Sequence, residues 1–227
     1  MTTLATSQDI ARLIEQVMQS PLLPRVQQRL TKITTDERQA RDQYYAQLSE
    51  GYNAEFVNGE EVQIMPAKLQ HILIMRFLMA LLEAFLRVHK LGLVAPEQAL
   101  IVCERNDYLP DICFWRTAKS SQFVLEQSSF PPPDFIAEVL SESTAKRDRG
   151  VKFQDYAAHG VEEYWIISPH EQAVEQYVLD GSGVYQLRMK SQTGTLVSSV
   201  ITGFAIPVRA LFDLDENTTA LQHLPGR

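Results

Sequence analysis

FIAEVL, residues 135–140, is an apolar, strand-like run that contains one acidic residue, Glu138. Such a run is typical of a buried strand. Ionising an isolated carboxylate between buried neighbours is very unfavourable, so Glu138 needs a nearby cation or has to stay protonated. A divalent metal ion held by two acids would supply that cation.

A second acid, Asp111, occupies a comparable position upstream. It directly follows Pro110 and opens the apolar run ICFW, residues 112–115, which predicts another strand. Taken alone, Asp111 is explained as well by a turn after a proline, and Glu138 as well by a half-exposed edge strand. The two acids together indicate more than either does separately.

A helix is predicted over residues 144–158, directly after the Glu138 strand. Asp148, Lys152 and Tyr156 are spaced four apart in it and therefore share one face. If that face looks toward the end of the Glu138 strand, Lys152 lies near the two acids. Considered alone, Asp148 and Lys152 are an ordinary salt bridge on a helix surface.

Two carboxylates, a metal ion and a lysine form a known arrangement for phosphodiester hydrolysis. The metal ion polarises the phosphate and activates water, while the lysine stabilises developing negative charge or positions the water. The order strand, strand, helix for Asp111, Glu138 and Lys152 favours this catalytic interpretation over the separate structural ones.

The rest of the core combines one long helix with further strands. Asn58 and Gly59 lie between two alternating segments and predict a hairpin, because both turn positions require positive φ. A broad apolar face predicts a helix over residues 68–90, which Gly92 is placed to stop. Further strands are predicted at residues 99–103, 163–167, 173–179 and 184–190. This order predicts an α/β fold, a mixed β-sheet flanked by helices.

Two helices are predicted before this core. Apolar spacing predicts one over residues 7–20, and a second is predicted over residues 35–48, with Thr35 as its N-cap. We expect residues 1–50 to form an N-terminal helical arm that packs on the domain of residues 51–227 or on a partner subunit.

Composition is that of an ordinary globular protein, with 45% apolar and 22% charged residues. No apolar run is expected to approach the roughly 20 residues of a membrane span, and residues 1–9 lack the features of a secretory signal. We therefore expect a cytoplasmic protein without membrane association. Cys103 and Cys113 lie within apolar runs at no common zinc spacing, which predicts two buried thiols.

Net charge is −7, from 21 Lys and Arg against 28 Asp and Glu. Binding along nucleic acid by bulk attraction depends on Lys and Arg, so the charge argues against that class of protein. It does not exclude an enzyme that meets nucleic acid in one cleft through a bound cation.

Several motifs in order resemble the Uma-type family of restriction endonuclease-like proteins, within the PD-(D/E)xK nuclease superfamily. The resemblance covers residues 54–212. It is carried by FVNGE (56–60), PD (110–111), EVLSEST (138–144), RDRGVK (147–152) and YAAHGVEEYW (156–165). It implies a restriction endonuclease-like fold.

Carried over residue by residue, the resemblance implies that Asp111 and Glu138 bind Mg²⁺ or Mn²⁺, joined by Glu60. The superfamily's usual lysine would fall at Leu140, and the resemblance moves that role to Lys152. It also implies supporting roles for Asp148, His71 and Tyr156, although a structural hydrogen bond explains His71 equally well. Glu142 replaces the family's usual proline and adds a negative charge near the site.

Two classes of function remain open from the sequence. One is a divalent-metal-dependent endonuclease that hydrolyses DNA, or an equivalent hydrolase acting on RNA or a small phosphate ester. The other is a catalytically silent nuclease fold that serves as a DNA-binding or protein-interaction module. Because one site cuts one strand, cleavage of duplex DNA leads us to expect a homodimer, with the arm as a candidate dimer element.

Overall fold

The computed structural model describes residues 7–48 and 54–224. The chain divides into two compact units, Met1–Gln63 and Ile64–Arg227. The boundary that we predicted between residues 50 and 51 lies outside the described residues.

The N-terminal unit contains two helices and a hairpin: α1 (Ser7–Met18), α2 (Leu23–Leu48), β1 (Ala54–Val57) and β2 (Glu60–Gln63). The prediction for α1 is confirmed, but the predicted start of α2 at Thr35 is wrong. The Thr35 hydroxyl donates to the Thr31 carbonyl oxygen at 2.8 Å, inside the helix. A threonine that bonds back to the preceding turn is tolerated within a helix, so its capping preference did not mark the helix start.

The predicted Asn58-Gly59 hairpin is confirmed. Val57 pairs with Glu60, and Asn58 and Gly59 have φ values of 53° and 86°. Both turn residues therefore adopt the positive φ that this two-residue turn requires.

The C-terminal unit contains the remaining elements. In chain order they are α3 (Leu69–His89), β3 (Gly92–Pro96), β4 (Leu100–Val102), β5 (Asp107–Tyr108), β6 (Ile112–Arg116), α4 (Thr117–Ser120), β7 (Ser129–Phe130), β8 (Phe135–Val139), α5 (Ala145–Asp148), α6 (Val151–Ala158), β9 (Glu163–Ser168), β10 (Ala173–Leu179), β11 (Tyr185–Ser191), β12 (Thr195–Val197), β13 (Ala205–Pro207), a 3₁₀ turn (Val208–Leu211) and α7 (Leu214–His223).

A six-stranded mixed sheet forms the centre of this unit, in the order β11-β10-β9-β8-β6-β3. Strands β8 and β9 are parallel, and the other neighbouring pairs are antiparallel. Elsewhere β4 pairs with β5 and β7, and β12 pairs with β13. The predicted α/β architecture, a mixed sheet with helices, is confirmed. Strand β3 was not predicted, although it pairs along its whole length with β6.

Helix α3 packs one face into the main core. Its residues Leu78, Leu81 and Phe85 are buried in a cluster with side chains of β6, β8 and β9. The expectation that no apolar run approaches a membrane span does not hold for α3. By length and composition alone, this helix is long and apolar enough to cross a membrane. Core helices of soluble proteins share that property, and the buried face of α3 fits a core helix.

Helix α3 is ended by a different residue from the one predicted. Lys90, with φ 51° and ψ 39°, takes the left-handed conformation that ends the helix. Gly92 instead begins β3, where a Cβ atom would lie 1.9 Å from the Trp115 carbonyl oxygen on β6. The glycine is therefore required for the close approach of these two strands.

The helix predicted over residues 144–158 is broken into α5 and α6. Gly150, between them, has φ −118° and ψ −104°. A Cβ atom there would lie 2.6 Å from the Lys146 carbonyl oxygen, so the break favours glycine at this position. Both cysteines are buried thiols that form no disulfide, as predicted.

Candidate active site

Asp111 and Glu138 lie opposite each other at one end of the central sheet. Ile112 on β6 pairs with Ala137 on β8 in antiparallel register, which sets Asp111 against Glu138. The Val139 amide donates to Asp111 Oδ2 at 2.6 Å, and the Asp111 amide donates to Glu138 Oε2 at 3.3 Å. Each carboxylate is thus fixed by the backbone of the neighbouring strand.

The buried carboxylate of Glu138 has a cation beside it. Lys152 Nζ lies 2.9 Å from Glu138 Oε1, and both side chains are only 4% exposed. The Tyr156 hydroxyl donates to the same oxygen at 2.9 Å. The lysine ammonium therefore supplies positive charge that an acid inside an apolar strand requires.

The break between α5 and α6 leaves the three residues that were predicted to share a helix face close together. Asp148 ends α5, while Lys152 and Tyr156 belong to α6, yet Asp148 Oδ1 lies 3.6 Å from Lys152 Nζ. Lys152 Nζ also lies 5.8 Å from the centre of the Tyr108 ring, a cation–π distance. Lys152 is thus held between two carboxylates and an aromatic face.

His71 reaches the site from the first turn of α3. Its Nε2 lies 3.2 Å from Asp111 Oδ1, the oxygen on the side away from the Val139 amide bond. Burial lowers the pKa of His71, but the hydrogen bond and the negative charge of Asp111 outweigh it, so the pKa is raised overall. Asp111 is therefore held between a strand and a helix.

A third acid, Glu97, was not predicted from the sequence. Pro96 on β3 pairs with Ile112 on β6, so Glu97 follows the strand opposite Asp111. A Glu97 carboxylate oxygen, a His71 ring nitrogen and an Asp111 carboxylate oxygen all lie within 4.8 Å of one another. Glu97, Asp111 and Glu138 hence lie at the same end of three neighbouring strands. Recognition of β3 as the antiparallel neighbour of β6 would have predicted this row.

Two further residues were singled out in the sequence. Glu60 is an exposed residue of β2 in the N-terminal unit, and its part in metal binding stays a prediction. The Glu142 carboxylate accepts a hydrogen bond from Lys68 Nζ at 2.8 Å, with both side chains exposed. This bond and the lysine's charge lower the pKa of Glu142, so its added negative charge is paired with a lysine.

A second group with metal-ligand chemistry consists of Cys103, Asp155 and His159. The Glu104 amide donates to His159 Nε2 at 3.1 Å, which requires a lone pair on that nitrogen. The ring proton therefore lies on Nδ1, which contacts Asp155 Oδ1 at 3.0 Å. No lone pair remains on Nδ1 for a cation in this arrangement, so the group is a hydrogen-bonded network.

Comparison with known proteins agrees with this fold. A family profile, Uma2, described as "Putative restriction endonuclease", matches residues 41–209. The crystal structure of a nuclease, described as putative and as belonging to DUF820, from Anabaena variabilis ATCC 29413, has a TM-score of 0.62 and 17% identity. The match covers 71% of this chain and 90% of that one. No curated protein matches the sequence.

The structural similarity shows the fold, and the family profile shows the family. The restriction endonuclease-like fold expected from the sequence is confirmed. Family and fold together support a nuclease. Because the profile spans well over half of the 227 residues, the chain belongs to the Uma2 family of restriction endonuclease-like proteins.

Proposed function

We propose that this protein is a divalent-metal-dependent endonuclease that hydrolyses phosphodiester bonds in DNA. One observation carries the proposal: Asp111 and Glu138 are fixed on neighbouring strands, with Lys152 Nζ 2.9 Å from Glu138 Oε1. A buried lysine beside two acids at the end of a sheet is a costly arrangement that catalysis would explain.

The side chains fit a divalent cation. Asp111 Oδ1 and Glu138 Oε2 would hold Mg²⁺ or Mn²⁺, and His71 Nε2 lies beside the first of these oxygens. Carboxylate oxygens suit both ions, and an imidazole nitrogen is compatible with Mn²⁺. When bound, the ion supplies a Lewis acid that polarises the phosphate and lowers the pKa of a water molecule.

The protein's own groups have separate tasks. Lys152 places a positive charge where the phosphate oxygens gain negative charge in the transition state. Tyr156 holds Oε1 of Glu138, so that Oε2 remains turned toward the Asp111 strand. The backbone bond from Val139 keeps Asp111 in one orientation, which reduces the reorganisation required during reaction.

One observation favours the alternative of a silent binding module. Oε1 of Glu138 is already satisfied by the protein's own Lys152 and Tyr156. Such a buried pair can serve a structural role without any catalysis. The module would bind DNA or a protein without cutting DNA, which distinguishes it from the endonuclease.

We also propose a homodimer, because two sites are needed to cut both strands of a duplex. Helix α1 has a row of apolar side chains that are at least half exposed, and a second copy of the chain would cover them. These residues are Ile10, Leu13, Ile14 and Met18.

Nicking of supercoiled plasmid tests the proposed function. The wild-type protein is expected to nick the plasmid with Mg²⁺ or Mn²⁺ and to stop when EDTA is added. Asp111→Asn should lose nicking, whereas Glu126→Gln, a change at an exposed loop residue, should retain it. Binding of DNA without nicking in either metal would instead support the binding module. Cleavage of an RNA substrate alone would move the proposal from DNA to RNA.

A further inference from the structure

We propose that Glu97 is a further cation ligand, and that His71, Glu97 and Asp111 together bind a first-row transition ion such as Mn²⁺. The inference rests on the proposed function for the presence of a divalent ion at this site. It adds a ligand that the sequence analysis did not identify and a class of metal.

Strand register places Glu97 beside Asp111. Gly92 to Pro96 pair in unbroken antiparallel register with Arg116 to Ile112. Glu97 is the next residue, in the turn that directly follows β3, and it lies on the side of β6 opposite to Glu138. The paired end of β3 therefore brings Glu97 close to Asp111.

The side chain of Glu97 has an oxygen available for a cation. The Glu97 carboxylate forms no hydrogen bond or ion pair with any residue of the described ranges 7–48 and 54–224. Its oxygen nevertheless lies within 4.8 Å of both the His71 nitrogen and the Asp111 oxygen. Three donor atoms of two chemical types thus lie close together. His71 Nε2 contacts Asp111 Oδ1, so His71 would bind a cation as the neutral tautomer with its proton on Nδ1, which leaves the lone pair on Nε2.

The donor set distinguishes between divalent ions. Mg²⁺ prefers oxygen ligands in near-ideal octahedral geometry and gives up its water reluctantly. Imidazole nitrogen suits transition ions, and carboxylates are compatible with Mn²⁺. The set therefore favours Mn²⁺ over Mg²⁺.

Calorimetry with Mn²⁺ and with Mg²⁺ tests the inference on the full chain. Electron paramagnetic resonance of free Mn²⁺ provides a second measure of binding. The wild-type protein is expected to bind Mn²⁺ more tightly than Mg²⁺. Glu97→Gln should weaken Mn²⁺ binding by at least about 10- to 100-fold, the loss that changing a partner of a metal ligand already causes. The matched control Glu126→Gln should bind Mn²⁺ as the wild type does.

Folding of the variant is checked by melting without metal, followed by melting with Mn²⁺. Mn²⁺ should raise the Tm of the wild type and of Glu126→Gln, and raise that of Glu97→Gln far less. If Glu97→Gln does not fold, Glu97→Asp replaces it. Aspartate keeps the charge but withdraws the carboxylate by one methylene, so Mn²⁺ affinity should still fall.

The outcomes separate this inference from the proposed function. Wild-type affinity for Mn²⁺ in folded Glu97→Gln or Glu97→Asp would overturn the role of Glu97, even if the wild type nicks DNA. Equal or tighter binding of Mg²⁺ by the wild type would overturn the choice of metal. Loss of Mn²⁺ binding in Glu97→Gln, with no nicking by the wild type, would support the site and refute the nuclease.

Discussion

Asp111 and Glu138 hold each other's strands: the Asp111 amide donates to the Glu138 carboxylate, and the Asp111 carboxylate accepts from the amide of Val139, the residue after Glu138. The same two carboxylates are the candidate metal ligands. Asp111 accepts the backbone bond on Oδ2, while its Oδ1 lies beside His71. Glu138 accepts the backbone bond on Oε2, the oxygen that also faces the Asp111 strand, while Lys152 and Tyr156 bind its Oε1. Isosteric amides are consequently better tests of chemistry than alanine, because an amide oxygen can still accept the backbone bond.

Asp111→Asn and Asp111→Ala should differ in stability. Asparagine can accept from the Val139 amide, whereas alanine leaves that buried amide without its acceptor. An unsatisfied buried donor costs about 1–3 kcal/mol, so the free energy of unfolding should be lower by about that amount for alanine than for asparagine. Urea unfolding at pH 7 measures the difference. Equal stabilities would show that the bond contributes little to the fold.

Lys152→Met should destabilise the protein strongly. It removes the ammonium beside Glu138 and Asp148 and leaves two buried carboxylates without that charge. Breaking a buried pair in this way costs about 3–5 kcal/mol. Glu138→Gln added to Lys152→Met should recover part of the loss, which denaturant unfolding of both variants would detect. A double variant no more stable than the single one would argue against the ion pair as the cause.

Glu175 should contribute to stability in a pH-dependent way. The hydrogen bond from Arg149 is the main cause that lowers its pKa to about 2, with bonds from Lys190 and Tyr177 acting in the same direction against burial. A lowered folded-state pKa stabilises the folded state above the unfolded pKa of about 4.5. That contribution is lost as pH falls from about 4.5 toward 2.

Glu175→Gln should therefore lower the free energy of unfolding at pH 7 by about 2 kcal/mol. Solvent screens the partly exposed Arg149, so this loss is smaller than for a fully buried ion pair. The difference from the wild type should shrink below pH 4.5 and vanish near pH 2. Unfolding curves across this range, with Glu126→Gln as the control, would check it. A constant difference at every pH would contradict the charge-based explanation.

Leu13→Glu should disrupt the proposed dimer without unfolding the chain. Leu13 is 56% exposed on α1, so a charge there is tolerated in a monomer but not in an apolar contact between two copies. Light scattering should give twice the 25.8 kDa chain mass for the wild type and the chain mass for the variant. Leu125→Glu, at a fully exposed loop position, should leave the mass unchanged. A wild-type monomer would refute the dimer.

Much of the central sheet was predictable because its strands have simple patterns. The apolar runs around Asp111 and Glu138 are buried strands, and the predictions of β9 and β10 are also confirmed. The proximity of Lys152 to Glu138 followed from helical spacing, which survives the break at Gly150. Contacts between neighbouring strands can therefore be predicted from the sequence when each strand has a clear apolar run.

Strand β3 was missed for a physical reason. It is the short run GLVAP, which begins with glycine and ends with proline, and both residues weaken a strand signal. Its pairing with β6 stabilises it, so tertiary structure overrides local preference. Without β3, the position of Glu97 beside Asp111 had no basis in the sequence analysis. The start of α2 was missed similarly, since Thr35 has capping chemistry but lies inside a helix.

The most direct test of the metal-dependent nuclease compares the wild type with Glu138→Gln. Glutamine keeps the size of the side chain and can still accept from the Asp111 amide, but it removes the charge. Calorimetry with Mn²⁺ and plasmid nicking are measured on the same preparations, after melting curves show that both are folded. We predict Mn²⁺ binding and nicking by the wild type, with weaker binding and no nicking by Glu138→Gln. Equal nicking by folded Glu138→Gln would contradict the assignment of this site as the catalytic centre.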